Sequence, residues 1–276
     1  MKQAKGECLV ISTKDDVYCI GADKRGILRA EPEYGECGKF CVNEGKMYAI
    51  QGGAINDILE DKDVYRIHDY RSKIDGIISH KGKIYHAEGE EFIDTLEDKI
   101  VNRLPHTCMA SDGNNLYGAE LGYIYNLLTG RQLLKLRGWE RNPEAEDNRL
   151  VFHPGKKNIT ALGCFKRSAY FATENILEFE YNNRVKEEYA VYKLGRKEKI
   201  AERKAKVTIF APFRGNLYDA VGNAIYNTLK DRESKKPIWE LDEGIVHMAA
   251  MPVELWNEIV KRGRVTLKKG IIVMEE

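Results

Sequence analysis

The chain has 276 residues, 43% of them hydrophobic, enough for one large core or two small ones. Lys and Arg number 44 against 43 Asp and Glu, and the formal net charge of +1 excludes a global electrostatic pull toward nucleic acid or anionic membrane. The opening stretch MKQAKGECLVIS has no apolar segment of signal-peptide length, and no run approaches the ~18 apolar residues of a membrane-spanning helix, which predicts a soluble, cytoplasmic protein. In that compartment Cys8, Cys19, Cys37, Cys41, Cys108 and Cys164 are expected as free thiols. Three Gln against many Lys, Glu and Ile is a thermophile-like balance.

In chain order, a strand–turn–strand hairpin first appears at ECLVISTKDDVYCIG and centres on Tyr18. It recurs around Tyr48, Tyr85, Tyr117, Tyr170, Tyr218 and Trp256. Eight residues before each aromatic stands a large apolar residue: Val10, Phe40, Ile77, Met109, Leu162, Phe210 and Met248. Asp15, Gly45, Gly82, Asn114 and Gly215 mark the turn three residues before it. A third strand is predicted from Ile55, Phe92, Ile124, Leu177 and Ile225, with Asp57, Asp94, Asn126 and Asn227 at one shared position. Fourth strands are predicted at 64–68, 100–104, 133–136, 190–194, 238–241 and 271–274.

The aromatic anchors lie 30, 37, 32, 53, 48 and 38 residues apart. A four-stranded unit of about 40 residues is the pattern of a β-propeller blade. A lone sheet cannot bury both faces, but a ring of blades can, which accounts for first strands that are apolar on both sides. Seven units fit one domain spanning 1–276, a seven-bladed, all-β propeller of four-stranded antiparallel blades. A six-bladed ring, in which 1–29 and 245–276 share a blade, is the alternative.

The stretch DGNNLYGAELGYIYNLLTG (Asp112–Gly130) resembles the repeat of pyrroloquinoline-quinone-type propellers at superfamily level. The resemblance implies the fold. It implies no cofactor, because the vicinal Cys pair and ligand residues of the quinoprotein dehydrogenases are absent.

Two units are over-long, at 137–158 and 195–206, and both excesses are expected as insertions on one rim flanking the fifth blade. Loops on a rigid scaffold are where function concentrates. The first segment, RGWERNPEAEDNRLVFHPGKKN, offers Arg137, Trp139, Arg141 and Arg149, residue types that dominate protein interfaces. The second, GRKEKIAERKAK, offers Lys197 and Arg203 among six basic and two acidic residues. Such a segment suits a phosphate-rich partner such as RNA, yet it has no aromatic for base stacking.

Asp75, His106, Glu36 and His247 fall at or near the starts of inner strands, which places them around the mouth of the central channel. The spacing C-x3-C at Cys37 and Cys41 lacks a second ligand pair, so no metal is expected. The reading is a non-catalytic scaffold that docks a protein partner on its insertion-bearing face. The alternative is a hydrolase or lyase acting on a small polar substrate at the channel mouth. RNA or phosphate contact is a weaker third reading.

Overall fold

The computed structural model describes residues 6–23, 26–33, 38–67, 72–104, 106, 108–136, 157–179, 185–196, 198–233 and 236–272. Its strands form six antiparallel sheets. The chain begins with β1 (Glu7–Ser12), β2 (Val17–Asp23) and β3 (Gly26–Pro32). Blade two is β4 (Phe40–Asn43), β5 (Lys46–Gln51), β6 (Ala54–Asp57) and β7 (Lys62–Arg66). Blade three is β8 (Ile74–His80), β9 (Lys83–Glu88), β10 (Glu91–Asp94) and β11 (Lys99–Arg103). Blade four is β12 (Cys108–Ser111), β13 (Leu116–Glu120), β14 (Tyr123–Asn126) and β15 (Gln132–Lys135). Blade five is β16 (Lys157–Phe165), β17 (Ser168–Phe179), β18 (Val185–Lys193) and β19 (Lys199–Arg203). Blade six is β20 (Val207–Phe213), β21 (Asn216–Val221), β22 (Ala224–Asn227) and β23 (Trp239–Glu240). The chain then returns through β24 (His247–Pro252), α1 (Val253–Lys261) and β25 (Val265–Ile272).

The first and last strands build one blade, in the order β24–β1–β2–β3–β25. The innermost strands β4, β8, β12, β16, β20 and β24 pack each on the next and close the ring. The propeller therefore has six blades, in the arrangement given as the alternative above, and the seven-bladed count is corrected. Nothing in these blades is specific to the quinoprotein type.

Trp256 explains the extra unit. It matches the aromatic position of the repeat but lies on α1, not on a strand. Pro252 ends β24, and Leu255, Trp256 and Ile259 then bury one helical face at i, i+1 and i+4 spacing. That face packs against Cys8, Val10, Cys19, Phe40 and Met47, sealing the join between blades one and two. Burial of each large side chain there is worth about 1.5–3 kcal/mol.

Alternation along β1 shows why both faces are apolar. Cys8 and Val10 pack toward blade two, whereas Leu9 and Ile11 pack toward Ala211, Phe213 and Tyr218 of blade six. Charge also ties the last strand to the first three within blade one. Asp16, buried in the β1–β2 turn, pairs with Arg29 of β3 and with Lys268 of β25 at 2.5 Å. Burial alone would raise its carboxyl; the two cations reverse that and hold it below the usual carboxylate range.

The shared Asp/Asn position is a turn cap before the fourth strand. Asp57 Oδ1 accepts from the backbone N–H of Leu59 (3.1 Å) and Glu60 (3.2 Å). Asn126 does the same for Leu128 (3.1 Å) and Thr129 (3.2 Å), and Asn227 for Leu229 (3.3 Å) and Lys230 (3.2 Å). The fourth strands predicted at 64–68, 100–104, 133–136 and 238–241 overlap β7, β11, β15 and β23.

Blade five departs from that pattern. Its second strand, β17, runs for 12 residues where the equivalent strands have 5 to 7. No new strand starts at Leu177, and 190–194 lies largely in the third strand rather than in a fourth. The fourth strand is β19, inside the supposed insertion at 195–206, so that segment completes the blade.

Candidate functional site at the channel entrance

Every inner strand begins on the same face of the ring, and each delivers one polar residue there. Lys39 precedes β4, Asp75 is second on β8, and His106 stands two residues before β12. Thr160 lies on β16, Thr208 is second on β20, and His247 opens β24. These six side chains, one per blade, line a single cavity of about 100 Å³. Below this collar the channel widens to about 330 Å³, lined by Phe40, Ile77, Met109, Leu162, Ile209 and Met248 together with Ser79 and Ser111. Above it, a groove of about 560 Å³ along Gly52, Gly53 and Lys73 shares Lys39, Asp75 and Val246 with the collar and opens it to solvent.

Lys39 Nζ donates to the main-chain carbonyl of Asp75 at 2.6 Å. Burial, with Lys73 nearby, draws its amine below the usual lysine range, while Asp75 and Cys108 oppose the shift. Burial also lowers both imidazoles. His247 is brought down to about 4, by burial first and then by Lys39. His106 is lowered by burial against the opposing effects of the Leu104 carbonyl and Asp75. Both rings are therefore neutral near pH 7. His106 Nδ1 meets the Leu104 carbonyl, which can only accept, so Nδ1 carries the proton and Nε2 presents a lone pair. That Nε2 and the Thr160 hydroxyl are buried without a hydrogen-bond partner among the described residues.

Of the four channel-mouth candidates, Asp75, His106 and His247 converge in the collar, and Glu36 lies outside the described residues. Lys39, Thr160 and Thr208 were missed. Their signal is positional: each collar residue sits one to three places before the large apolar residue that opens its repeat.

Arg137, Trp139, Arg141, Arg149 and Lys197 lie outside the described residues. Arg203 is not a surface anchor. It is buried on β19 and grips Asp219 of blade six through Nε (2.6 Å) and a second guanidinium N–H (2.7 Å). It also donates to the carbonyls of Glu202 (2.8 Å) and Asp231 (2.9 Å). Lys199 of the same segment pairs with Glu188 (2.5 Å) and Glu202 (2.6 Å).

The extra length of blade five points elsewhere. The strands β17 and β18 stay paired beyond Lys157, the first residue of β16, which pairs Asn175; their pairing runs on from Ile176–Glu187 to Phe179–Val185. In blades two, three, four and six the second strand ends three residues after the repeat tyrosine, and in blade one five residues after it. Here Glu174–Phe179 continue: Glu174 and Asn175 still pair with Asn158 and Lys157 of β16, and Ile176–Phe179 form a two-stranded ribbon with β18 that projects roughly 13 Å on the entrance face at about 3.3 Å per residue. The connection from β15 to β16, residues 136–156, leaves from the same face.

Among the described residues, no three His, Cys, Asp or Glu side chains are grouped to hold a metal ion, and no helix is long and apolar enough to cross a membrane. Cys8, Cys19, Cys41, Cys108 and Cys164 are free thiols; burial pushes Cys41 up to about 12.

No family model matches the chain, and no curated protein matches it. Among solved structures, the computationally designed Ika8 protein is 12% identical with a TM-score of 0.42, over 88% of this chain and 76% of that one. The extracellular domain of a hybrid two-component system from B. thetaiotaomicron is 12% identical with a TM-score of 0.44, over 74% of this chain and 30% of that one. KlAtg21, in complex with the coiled coil of AgAtg16, is 9% identical with a TM-score of 0.38, over 83% of each chain. At these TM-scores the likenesses add nothing to the propeller, which rests on the sheet order and the ring of inner strands.

Proposed function

We propose that the chain is a non-catalytic interaction scaffold that docks a protein partner on the face where its inner strands begin. The observation that carries this reading is the β17–β18 ribbon. From Ile176 on it extends blade five past the last residue that β16 pairs, on the face that also releases the long 136–156 connection. A two-stranded ribbon contributes little to a core, since isolated hairpins are marginal in water. Its sequence from Glu174 to Glu188 holds five acidic and two basic residues, which suits a basic partner.

The test replaces 176–187 by a two-residue Asn-Gly turn and joins Asn175 to Glu188. Photo-crosslinking groups at Glu174 and Glu188 of the full-length ribbon should capture one partner that the shortened chain no longer retains. Equal retention by the shortened chain would remove the ribbon from the interface.

A hydrolase or lyase acting on a small polar substrate at the collar is the second reading. It is favoured by His106, whose unpartnered Nε2 can take a proton. It requires turnover that His106→Gln abolishes; no turnover on a panel of small esters and hydroxy acids would sink it.

A further inference from the structure

The collar carries a more specific statement, which goes beyond the docking reading and stands or falls without it. Its lining is mixed in a way that selects a ligand class. Lys39 has three N–H donors and uses one on the Asp75 carbonyl, so its ammonium calls for an anionic acceptor. His106, 4% exposed, turns an Nε2 lone pair to the buried side with no donor to meet it among the described residues. Thr160 adds a buried hydroxyl, also without a partner. An uncompensated buried polar atom is costly, and two in one cavity mark a place where a partner belongs.

A ligand built only of acceptors, such as sulfate or a plain carboxylate, would answer Lys39 but set its oxygens against the His106 lone pair. One built only of hydroxyls would answer His106 and give Lys39, whose hydrogen bond goes to the neutral main-chain carbonyl of Asp75, no anionic acceptor. Lys39 also argues against a metal cation in the same cavity. The room, about 100 Å³, holds a group of only a few heavy atoms, given that a water takes about 30 Å³. The groove above, about 560 Å³, leaves space for a longer tail.

We infer that the collar binds a small organic acid with a hydroxyl or amine donor beside its carboxylate. The carboxylate goes to Lys39, and the donor goes to His106 Nε2, with Asp75 on the same wall favouring a donor over a second anion.

Glycolate, acetate, glycerol and inorganic sulfate are the probes, titrated by calorimetry into the full chain at pH 7.5. Glycolate is expected to bind at least tenfold more tightly than acetate, glycerol or sulfate, the loss typical of one unmade buried hydrogen bond or ion pair. Lys39→Met should weaken glycolate at least tenfold, and His106→Phe should erase the advantage of glycolate over acetate. Equal affinity for acetate and glycolate, preference for sulfate, or no response to any probe at millimolar concentration would overturn the inference; the last is the behaviour of a collar filled by water. If either variant fails to fold, the ranking of the four probes on the unsubstituted chain still decides.

Discussion

Blades one and five are both irregular, and in opposite ways. Blade one is stitched from distant segments, with β24 and β25 added to either side of β1–β2–β3 and α1 sealing the seam. Blade five is continuous in sequence but outgrows the ring, its β17–β18 ribbon reaching past the collar. One irregularity buries side chains and makes closure; the other lengthens one pair of strands past their neighbour β16. Stability should therefore concentrate at the blade-one seam, and recognition on the ribbon and collar.

The comparison breaks most visibly at the seam. Deleting 245–276 takes away an innermost strand, an outermost strand and Trp256, and the shortened chain should show no cooperative melting transition by circular dichroism. Trp256→Ala alone should cost about 3–5 kcal/mol in urea unfolding, as expected for a fully buried aromatic.

Arg203→Met tests whether the base of blade five is structural. It strands the buried carboxylate of Asp219 and should cost about 3–5 kcal/mol, whereas a surface anchor would cost almost nothing.

Acid should act through buried imidazoles. His86 is fully buried, and burial lowers it to about 4. His247 is lowered to about 4 as well, against an ordinary value of 6.5. A folded-state value below the unfolded one means the unfolded chain binds more protons between those limits. The contribution is complete above about pH 6.5 and is lost as pH falls through about 4, on the order of 3 kcal/mol for His86. Melting temperatures from pH 7.5 to 4 should fall across that window, and His86→Gln should flatten the fall. The smallest effect is the ribbon's own: replacing 176–187 by a short turn should shift unfolding by less than about 0.5 kcal/mol.

Blades two, three, four and six were legible because their signals are local. An Asp or Asn caps the turn before each fourth strand, as at Asp57 and Asn227, and short glycine turns separate second and third strands. The blade-one seam was not legible in the same way. Pairing of β24 with β1 and of β25 with β3 joins residues more than 230 apart, and no local pattern encodes it. Trp256 satisfied the repeat at one position while Leu255 and Ile259 obeyed a helical period. In blade five, a fixed spacing suggested a break near Leu177, where the sequence Glu174–Phe179 has no Gly or Pro and the strand continues. Asp75, His106 and His247 were visible because ionisable groups at strand starts stand out. Thr160 and Thr208 look like ordinary strand residues, and only the ring shows that they share a cavity.

The division between seam and ribbon is tested most directly by one capture experiment with three proteins: the unsubstituted chain, Trp256→Ala and the ribbon-shortened chain. All are held at a temperature where each is folded. The account predicts that Trp256→Ala, though less stable, retains the crosslinked partner, and that the ribbon-shortened chain, though equally stable, loses it. Retention by the shortened chain with loss by Trp256→Ala would contradict the account and move recognition to the blade-one seam.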